Sequence, residues 1–409
     1  MDFTLPYSEE QERFRQEVRS WLETNIPDAM KDPIDGRDFT EEQFNWWREK
    51  NKDIASKGWL YPTFPKEYGG GGLSGDQETI IQEEFLSAGV PRGGFTAPFV
   101  LPALLVWGTE EQKQKFLTPI LTGEAVAWQK FTEPQSGADL ANYQSKAVRD
   151  GDDWVLTGQN VFVSGKGPSP DFLYGPMVTD PEAPRHRNLG YFMVPYPSPG
   201  LEVRNQNLVM GGDQHFVFLD NVRVPGDHLI GGDHQGWQVS MTSLEQEHGG
   251  RGQAFPRDEE LDNLVTFTKE VKHNGENLGS DPVVQQATME NYLVAHIDGL
   301  FAKRTYWMYE RRVEITYEGN LSSVHSRESS LLNSARIRDV MGMSALLGTK
   351  EPGVPFGGQQ EVAQRQRAGQ NHAGGSTNIA KVVLARRIGI SRTKERPAPT
   401  PSTATSYGS

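Results

Sequence analysis

Two stretches of the sequence combine residue types with a spacing that could support chemistry. The first, residues 131–139, has the sequence Phe-Thr-Glu-Pro-Gln-Ser-Gly-Ala-Asp and follows a helical region. Its small residues would let backbone N–H groups approach a planar or anionic ligand closely. An ordinary polar turn is the alternative, and composition alone favours the turn.

The second stretch, residues 236–252, has helical spacing and carries two carboxylates. A helical wheel puts Glu247 roughly 80° from Trp237, at the edge of the apolar stripe. A carboxylate at such an edge is partly desolvated, which raises its pKa toward the range of a general base. A solvated surface glutamate is the alternative, and Glu245 is an equally available carboxylate on the opposite flank.

Several common kinds of functional site are missing from the sequence. There are no cysteines, which excludes disulfides, zinc–thiolate sites, iron–sulfur clusters and a thiol nucleophile. The sequence has no phosphate-binding Gly-Lys-Ser/Thr motif and no helical pair of histidines with metal-ligand spacing, so no metal is expected. The glycine run at 69–72 is interpreted as a flexible connector, with a nucleotide-binding loop as a remote alternative.

Net charge and hydropathy limit the kinds of molecule and membrane that the protein is expected to bind. Lys and Arg total 41 and Asp and Glu total 54, so the formal net charge is −13. An acidic surface argues against nucleic acid and anionic membranes as main partners, although a locally basic pocket could hold one anionic ligand. No stretch approaches the roughly 20 apolar residues of a membrane helix, and Met1 opens no targeting segment. We therefore expect a cytoplasmic protein.

The periodicity of apolar residues divides the chain into three parts and a tail, with an α+β plan. Residues 1–124 are expected to form an N-terminal helical domain. Residues 125–232 are expected to form a middle antiparallel β domain, a sandwich or barrel, and residues 233–392 a C-terminal helical domain. The Pro-, Thr- and Ser-rich residues 393–409 are expected to be a disordered tail, because they cannot bury enough apolar surface to fold.

Local signals mark individual elements. Capping boxes at Ser8 and Thr40 predict helix starts, and Thr-Glu-Glu-Gln at 109–112 predicts a third. Asp281 followed by Pro282 opens the longest helical run, to about residue 315. The other predicted elements are strands at 144–149 and 154–156, joined by a hairpin turn at Asp150-Gly151, strands at 160–163, 191–194 and 215–219, and helices at 329–347 and from about residue 376.

The loop at 132–139 resembles the flavin loop Thr-Glu-Pro-x-x-Gly-x-Asp of the acyl-CoA dehydrogenases. Further motifs follow in that family's order up to Arg392. They are Gly-Thr-Glu-Glu-Gln-Lys at 108–113, Leu-Thr-Gly-Glu at 121–124, Gly-Gln-Asn-Val-Phe-Val-Ser-Gly at 158–165, Val-Arg-Val-Pro at 222–225, Leu-Ile-Gly at 229–231, Gly-Trp at 236–237, Gly-Ser-Thr-Asn-Ile at 375–379 and Ala-Arg-Arg at 385–387. One such motif is weak evidence, whereas the ordered series is strong.

This resemblance implies N-terminal helices, a middle β domain and a C-terminal four-helix bundle, with FAD as cofactor and an acyl-CoA thioester as substrate. In that chemistry a carboxylate removes the proton α to the thioester carbonyl while the β-carbon passes hydride to flavin N5, giving the trans-2-enoyl-CoA. The base, the α-carbon and N5 must be in line, and hydrogen bonds must polarise the carbonyl. The implied electron acceptor is an electron-transferring flavoprotein.

The resemblance also assigns site residues. Phe162 stands where the family usually has a tryptophan packed on the flavin, and Ser164 stands at a hydroxyl position that hydrogen-bonds near N5. The expected cofactor-binding residues are Phe131, Thr132, Gly137, Ala138, Phe162, Ser164, Ser376 and Asn378, and the expected substrate-binding residues are Ala138, His248 and Gly374.

The resemblance offers two positions for the catalytic base. Many family members carry it just before the Gly-Thr of the closing segment, but that position here is Gly374, which has no side chain. Isovaleryl- and long-chain-type members use a glutamate in a Leu-x-x-Glu-Arg pattern on the earlier helix. Residues 244–248 are Leu-Glu-Gln-Glu-His, so Glu247 is the expected catalytic residue and Glu245 is the competing carboxylate.

Several family features are replaced. The Arg-x-x-Phe-Gly motif that reaches a neighbouring subunit's FAD pyrophosphate is absent, and Val-Lys-His-Asn-Gly stands at 271–275. The later Gly-Gly-x-Gly segment is replaced by residues 345–348 and a polar insertion at 349–370. Ala138 replaces a serine, and His248 replaces the arginine after the base. These changes concentrate on groups that clamp FAD across a dimer interface.

Three hypotheses follow. The first is an active FAD-dependent acyl-CoA dehydrogenase that forms a homo-oligomer, a dimer or tetramer. The second is a subunit of a heteromer, in which a related chain completes the FAD site, acting on a bulky thioester such as a steroid side-chain CoA ester. The third is another flavin reaction, such as that of an oxidase, or a non-catalytic binding role.

Overall fold

The computed structural model describes residues 7–91, 95–211, 213–248, 252, 256, 258–370 and 375–391, and for residues 245–248, 368 and 370 it describes the main chain alone. The predicted tail at 393–409 and Gly374 lie outside these residues. The side chains of Glu245, Glu247 and His248 also lie outside them.

Capping boxes begin four helices of the N-terminal region. The hydroxyls of Ser8, Thr40, Ser74 and Thr109 each accept the N–H of a glutamine three residues on, and that glutamine's side chain accepts the N–H of the capping residue. Three of these starts were predicted and are confirmed. The helices are α1 (Glu9–Asn25), α2 (Glu41–Ser56), α3 (Gly75–Ser87), α4 (Val100–Trp107), α5 (Glu110–Gln112) and α6 (Thr118–Leu121), with a π-helical turn at Lys113–Leu117.

The glycine run at 69–72 is a packed turn, so its interpretation as a flexible connector is wrong. A Cβ atom on Gly70 would lie 2.4 Å from the Phe64 carbonyl oxygen, and one on Gly71 would lie 2.1 Å from the Gly58 carbonyl oxygen. Main chain passes so close to main chain here that a side chain cannot be accommodated. The glycines therefore serve packing.

The middle region forms one eight-stranded sheet. Its strands are β1 (Ala127–Gln129), β2 (Lys146–Asp150), β3 (Asp153–Ser164), β4 (Phe172–Val178), β5 (Leu189–Pro195), β6 (Leu201–Asn205), β7 (Gln214–Pro225) and β8 (Leu229–Ile230). The order is β6-β7-β3-β2-β4-β5-β8, with β1 also beside β4. Most pairs are antiparallel, as predicted, but β1 and β2 pair with β4 in parallel, which the sequence did not indicate.

The predicted hairpin forms between β2 and β3. Asp150 pairs with Asp153, so the turn residues are Gly151 and Asp152, one position later than predicted. Gly151 has a φ of 64°, a conformation that glycine adopts at little cost. The separately predicted strands at 154–156 and 160–163 are parts of the single long strand β3.

The C-terminal region is helical, as predicted. Its elements are α7 (Gly236–His248), α8 (Glu259–Glu270), the short strands β9 (Lys272–His273) and β10 (Glu276–Asn277), α9 (Pro282–Glu310), α10 (Glu318–Met341), α11 (Gln359–Gln370) and α12 (Thr377–Arg387). Helix α9 ends earlier than predicted, and α10 begins eleven residues before the predicted start at 329. The first half of α10 is rich in serine, which is a weak helix former, so its local signal was poor.

The sheet is covered on both faces. One hydrophobic cluster joins Leu22 of α1 and Trp47 of α2 to Phe192 of β5. A second cluster joins Leu104 of α4 and Val239 of α7 to Tyr191 of the same strand. Because neighbouring residues of a strand point to opposite faces, the two clusters lie on the two sides of the sheet. Helices α4 and α7 therefore share one face with Tyr191.

The segment at 349–370, expected to be a polar insertion, folds back onto the N-terminal region. Arg365 of α11 donates to Asp35 at 2.8 Å, and Lys350 forms an ion pair with Asp38 at 2.7 Å. Asp35 is 5% exposed and also accepts hydrogen bonds from the Arg37 side chain. These ion pairs fasten the C-terminal region to the loop between α1 and α2.

We expect Asp35→Asn to lower the free energy of unfolding by about 2 kcal/mol at pH 7, and by about half of that near pH 3. Hydrogen bonds from Arg37, with the nearby Arg365 charge, lower the pKa of Asp35 from 3.8 to about 2. A carboxylate with a lowered folded-state pKa stabilises the protein above its unfolded-state pKa, and this stabilisation is lost as the pH falls from about 4 to 2. Urea unfolding across this range measures the difference. Asp152→Asn is the control, because Asp152 is exposed in the turn between β2 and β3. An equal loss for Asp35→Asn at both pH values would contradict the prediction.

Candidate active site

A β-bulge in β3 turns Phe162 out of the sheet. Asn160 pairs with Val217 and Val163 pairs with His215, so two residues of β3 oppose one residue of β7. Phe162 lies in the bulge with a φ of 55°, and its side chain is 53% exposed. A large apolar ring held at the surface by an unusual backbone conformation is a feature that binding sites use. This is the position where the resemblance implies a ring packed on the flavin.

Two glutamines support the bulge and the hydroxyl of Ser164. The Phe162 N–H donates to Gln206 Oε1 at 3.0 Å, and Gln214 Nε2 donates to Ser164 Oγ at 2.7 Å. The Gln206 N–H in turn donates to the Gln214 carbonyl at 2.7 Å. Because the Ser164 oxygen accepts from Gln214, its own proton is directed elsewhere and is available to a bound acceptor. The exposed Ser164 hydroxyl is thus free to donate, and the donor role that the resemblance implies for it stays a prediction.

A cleft of about 370 Å³ opens beside these glutamines. It lies between the α1–α2 loop and the ends of β6 and β7. Arg37, Phe39 and Phe44 line one side, and Gln206 and Gln214 line the other. The polar groups next to Ser164 therefore face a space that solvent and small molecules can enter.

The loop at 132–139 lies against the bulge. The Val161 N–H donates to the Thr132 carbonyl at 2.9 Å, so Thr132 is held next to Phe162. The buried Glu133 carboxylate accepts the N–H groups of Gln144 at 2.6 Å and Ser145 at 3.0 Å. Such charge-assisted bonds to main chain are strong. The structure thus brings together Thr132, Phe162 and Ser164, as the resemblance implies.

Gly137 and Ala138 are exposed near the tip of this loop. A Cβ atom at Gly137 would meet nothing within 4 Å, so packing within the chain does not demand glycine there. Gly165, by contrast, has the Trp128 ring 2.0 Å from its ideal Cβ position. The open space around Gly137 leaves room for a ligand to approach the main chain closely.

The Phe131 side chain, at one of the predicted cofactor positions, is buried. It is 6% exposed and packs edge-on against Tyr174 and Tyr191, with ring centroids 6.4 and 6.2 Å away. The side chain thereby anchors the loop to the sheet, and the cofactor role of Phe131 stays a prediction.

Lys130, the preceding residue, is fully buried. Its Nζ atom has no hydrogen-bond partner among the described residues. Burial lowers the pKa of Lys130 from 10.5 to about 8, because desolvation disfavours the charged amine. The residue before the flavin-loop candidate at 131–139 therefore carries an amine that loses its proton more readily than the amine of a surface lysine.

Helix α7, which carries Glu247, packs on β5, and the Phe131 ring of the loop contacts the same strand. A Cβ atom on Gly236 would lie 2.6 Å from the carbonyl carbon of Gly190, so the start of α7 touches the β5 main chain. The hydroxyls of Ser243 and Tyr191 are hydrogen-bonded at 3.2 Å. The structure thus brings the main chain of the predicted base helix close to the predicted flavin loop. The Glu247 and His248 side chains lie outside the described residues, so their roles stay predictions.

Ser376 and Asn378 lie at the start of α12, which packs on α10. The Ser376 hydroxyl accepts the Ile379 N–H at 3.3 Å and so caps the helix. Asn378 is exposed. Among the described residues, neither side chain is hydrogen-bonded to the loop at 132–139 or to Phe162. Their contacts to FAD stay predictions, as does the role of Gly374, which lies outside the described residues.

The position of the missing Arg-x-x-Phe-Gly motif is an exposed hairpin. Strands β9 and β10 are joined by Asn274 and Gly275, both with positive φ. Lys272 is exposed and forms no ion pair within the described part of the chain. The hairpin therefore projects a single flexible amine where the family has a guanidinium, which can form two parallel bonds to phosphate.

Neither a metal centre nor a membrane helix is found in the parts of the chain that are described. No group of three or more His, Asp or Glu side chains there is arranged to hold a metal ion. None of the helices there combines the length and the hydropathy needed to cross a bilayer.

Sequence reasoning missed the side chains that support the site. Tyr174, Tyr191, Gln206 and Gln214 were not singled out, although all four contact the predicted loop or the predicted strand residues. The alternation around Tyr191 indicated a strand, but period-two spacing does not identify which side chain meets which neighbour. Gln206 lies outside any predicted element, and no local signal marks it.

Two family models match the chain. Residues 8–124 match "Acyl-CoA dehydrogenase, N-terminal domain", and residues 129–222 match "Acyl-CoA dehydrogenase, middle domain". The second match contains the loop at 132–139, the bulge and Ser164. The models thus cover the N-terminal helices and most of the sheet.

Curated relatives match over nearly their whole length. The acyl-CoA dehydrogenase IpdE1 of Mycolicibacterium smegmatis is 30% identical over 397 residues, covering 93% of this chain and 97% of the relative. The acyl-CoA dehydrogenase FadE26 of Mycobacterium tuberculosis is 25% identical over 391 residues, covering 93% of this chain and 96% of the relative. The similarity therefore includes the C-terminal helical region.

Two solved structures are similar over the whole fold. A chain of the ChsE4-ChsE5 complex from Mycobacterium tuberculosis aligns with a TM-score of 0.82 and 26% identity, covering 95% of this chain and 100% of that one. A chain of the Tcur3481-Tcur3483 steroid ACAD aligns with a TM-score of 0.83 and 27% identity, covering 97% and 100%. Together with the family models and the relatives, they identify the chain as a member of the acyl-CoA dehydrogenase family and as an acyl-CoA dehydrogenase enzyme.

Proposed function

We propose that this chain is one subunit of a heteromeric acyl-CoA dehydrogenase that binds FAD and oxidises a bulky CoA thioester, such as a steroid side-chain ester. The observation that carries the heteromeric part is the similarity, over nearly the whole chain, to chains of two complexes, ChsE4-ChsE5 and Tcur3481-Tcur3483. The second is described as a steroid ACAD. The family typically uses FAD.

The proposal that this chain binds FAD is supported by the fit of the residues present. The exposed ring of Phe162 offers an apolar face, the Ser164 hydroxyl offers a donor, and Gly137 leaves its surroundings open. These groups come from two segments that a hydrogen bond between Val161 and Thr132 holds together. A planar, hydrogen-bonding ring system is the kind of ligand that such a combination suits.

The residues of this chain would then have separate roles in binding and in the reaction. Glu247 is proposed to accept the α-proton of the thioester, and Ser164 to donate a hydrogen bond to the cofactor. The main chain of Thr132 and Gly137, with Phe162, would orient the ring system. Ser376, Asn378, His248 and Gly374 keep the cofactor and substrate roles that the resemblance implies. Bound FAD would supply the hydride acceptor, and an electron-transferring flavoprotein is proposed to reoxidise it.

Exposed apolar side chains on the C-terminal helices support an assembly. On α9, Met289, Leu293, Ile297 and Leu300 repeat at helical spacing and are 39% to 55% exposed. Helices α10 and α12 add further exposed apolar residues, namely Leu331, Leu332, Ile379 and Val382. Apolar surface of this extent on neighbouring helices is typical of a protein interface. A related subunit with an apolar helical face is the occupant that this proposal requires.

The exposed hairpin supports a related chain, rather than a second copy, as that partner. In the family, an arginine of the neighbouring subunit reaches the FAD pyrophosphate. A second copy of this chain would offer only Lys272 at that position. A guanidinium binds phosphate with two hydrogen bonds, which an ammonium cannot reproduce in the same geometry. A partner that retains the arginine would complete the site.

A homo-oligomer that catalyses the same oxidation is the second candidate. It is favoured because one chain carries Thr132, Gly137, Ser164 and Glu247 together. The visible absorption spectrum and the native mass of the purified protein, with and without a co-expressed related chain, distinguish the two candidates. A yellow homo-oligomer that is bleached by acyl-CoA would favour the second.

We expect Phe162→Ala to weaken FAD binding about tenfold, because the half-exposed ring would lose the apolar contact that binding completes. Fluorescence titration with FAD of the FAD-depleted complex with the co-expressed related chain measures the dissociation constant. Val148→Ala is the control, since Val148 is 61% exposed on the neighbouring strand β2 and has no proposed role. An unchanged dissociation constant for Phe162→Ala would contradict the prediction.

A further inference from the structure

Tyr191 connects the flavin-loop candidate to the helix of the proposed base. Its ring lies at 0% exposure in the middle of β5. On one side it contacts the Phe131 ring edge-on, with centroids 6.2 Å apart. On the other side its hydroxyl is hydrogen-bonded to the Ser243 hydroxyl of α7 at 3.2 Å. One side chain thus touches both elements whose relative placement the proposed reaction depends on.

Ser243 lies one helical turn before Glu247. Residues four apart in an α-helix share a face, so positions 243 and 247 lie on the same face of α7. The Ser243 side chain is fully buried, so its direction is determined by packing and by its hydrogen bond. A rotation of α7 that moved Ser243 away from Tyr191 would move Glu247 by a similar angle.

A second contact fixes the start of the same helix on the same strand. Gly236 touches the main chain of Gly190, the residue before Tyr191. The contact at Gly236 limits how far the helix can slide or lift, because backbone is packed on backbone. Apolar contacts alone resist rotation weakly, whereas a buried hydrogen bond is directional. Two hydrogen bonds therefore resist rotation of α7: the Tyr191–Ser243 pair, which joins the helix to β5, and the bond that Trp107 Nε1 of α4 donates to Thr242 Oγ1 at 3.0 Å.

The hydroxyl of Tyr191 is not needed to fill space. A phenylalanine would keep the ring, its contact with Phe131 and its place in the core. The hydroxyl adds one hydrogen bond, to Ser243, that joins β5 to α7. Burial raises the pKa of Tyr191 well above its ordinary value, so the hydroxyl stays protonated and can donate.

We propose that Tyr191 is a positioning residue, which acts through Ser243 to set the rotation of α7 and thereby the alignment of Glu247 with the loop at 132–139. This inference rests on the proposed function, because it takes Glu247 as the base. Misplacing a catalytic group by about 1 Å costs up to about a hundredfold in rate. Tyr191 touches neither substrate nor cofactor in this proposal.

Tyr143 provides a matched control. It is also buried, at 4% exposure, and its hydroxyl has no hydrogen-bond partner among the described residues. Tyr143→Phe therefore removes the same atom from a similar environment without breaking a bond. Loss of an unpaired buried hydroxyl is expected to be neutral or stabilising.

The experiment compares Tyr191→Phe, Ser243→Ala, the double variant and Tyr143→Phe in the FAD-loaded complex. We expect kcat to fall about tenfold in the first two, with KM and the FAD dissociation constant within about twofold of the wild-type values. The double variant should be no slower than either single variant, because both remove one bond. Tyr143→Phe should match the wild type.

Three results would overturn the inference. They are a wild-type kcat for Tyr191→Phe, losses that multiply to about a hundredfold in the double variant, and a kcat loss that merely follows lost FAD or a lowered melting temperature. Glu247→Gln separates this inference from the proposed function. If Glu247→Gln is inactive and Tyr191→Phe is normal, only the positioning role is wrong. If Glu247→Gln remains active, the assignment of the base is wrong and the positioning role falls with it.

Discussion

Glu247→Gln is expected to reduce kcat by about a thousandfold or more while the protein still binds FAD. General-base catalysis contributes about a hundredfold to ten-thousandfold, and the uncharged amide cannot accept the α-proton. The amide has nearly the same size as the carboxylate, so packing on α7 is preserved. Flavin bleaching in a single turnover with an acyl-CoA measures the step directly, and the flavin spectrum before mixing reports binding.

Glu245→Gln is the matched control for this variant. Glu245 is two residues away on the same helix, which puts it about 200° around the helix axis from Glu247. We expect Glu245→Gln to keep turnover within about threefold of the wild-type rate, as for a surface substitution. A slow Glu245→Gln together with a fast Glu247→Gln would transfer the role to Glu245. Normal turnover in both variants would exclude a base on this part of α7.

The second large effect, a gain of bound FAD and activity, is expected when a partner chain is supplied. Purified alone, the chain should be colourless or inactive, and it should become yellow and active when co-expressed with a related chain that carries Arg-x-x-Phe-Gly. A charge-assisted contact between guanidinium and phosphate is worth about 1.5–3 kcal/mol, or about ten- to a hundredfold in affinity. Absorbance at the flavin band and native mass together give the content of FAD and the subunit composition.

This partnership predicts an unequal distribution of FAD. This chain's hairpin offers Lys272 and no arginine to the partner's own site. We therefore expect one FAD for each pair of chains. Full flavin content in the chain alone, with turnover, would contradict the heteromeric proposal and favour the homo-oligomer.

Substitution on the apolar face of α9 tests where the subunits meet. Leu293→Glu is expected to prevent co-purification, because burying an unpaired carboxylate in an interface is costly. Val209→Glu is the control, since Val209 is 79% exposed on the loop between β6 and β7, outside the helical face. Equal co-purification of both variants would show that this face of α9 is not the interface.

Elements with local signals were predictable. The hydroxyl–glutamine pairs at Ser8, Thr40 and Thr109 predicted three helix starts, because a capping box is a contact between residues three apart in the chain. Asp281 and Pro282 likewise predicted the start of α9. The serine-rich first half of α10 has only a weak local preference for helix, and the predicted start of this helix was wrong by eleven residues.

The site was predictable only through the ordered motifs. They predicted site roles for Thr132, Phe162 and Ser164, and the structure places these residues close together. Residue types alone favoured an ordinary turn at 131–139 and a surface role for Glu247. The supporting groups Tyr191 and Gln214 were not predicted, because each acts on a residue fifty or more positions away in the chain.

Local patterns in the sequence are enough to predict the kinds of secondary-structure element and to exclude several kinds of chemistry. Local periodicity, capping pairs and the absence of cysteine are properties of neighbouring residues or of composition, and they do not depend on the fold. Only the tertiary structure decided that the Phe131 ring is buried while the Phe162 ring is exposed. Both are phenylalanines in predicted flavin positions, and what separates them is pairing across β3 and β7 and packing against β5. Such contacts join distant parts of the chain, so side-chain direction at the site was determined by packing rather than by residue type.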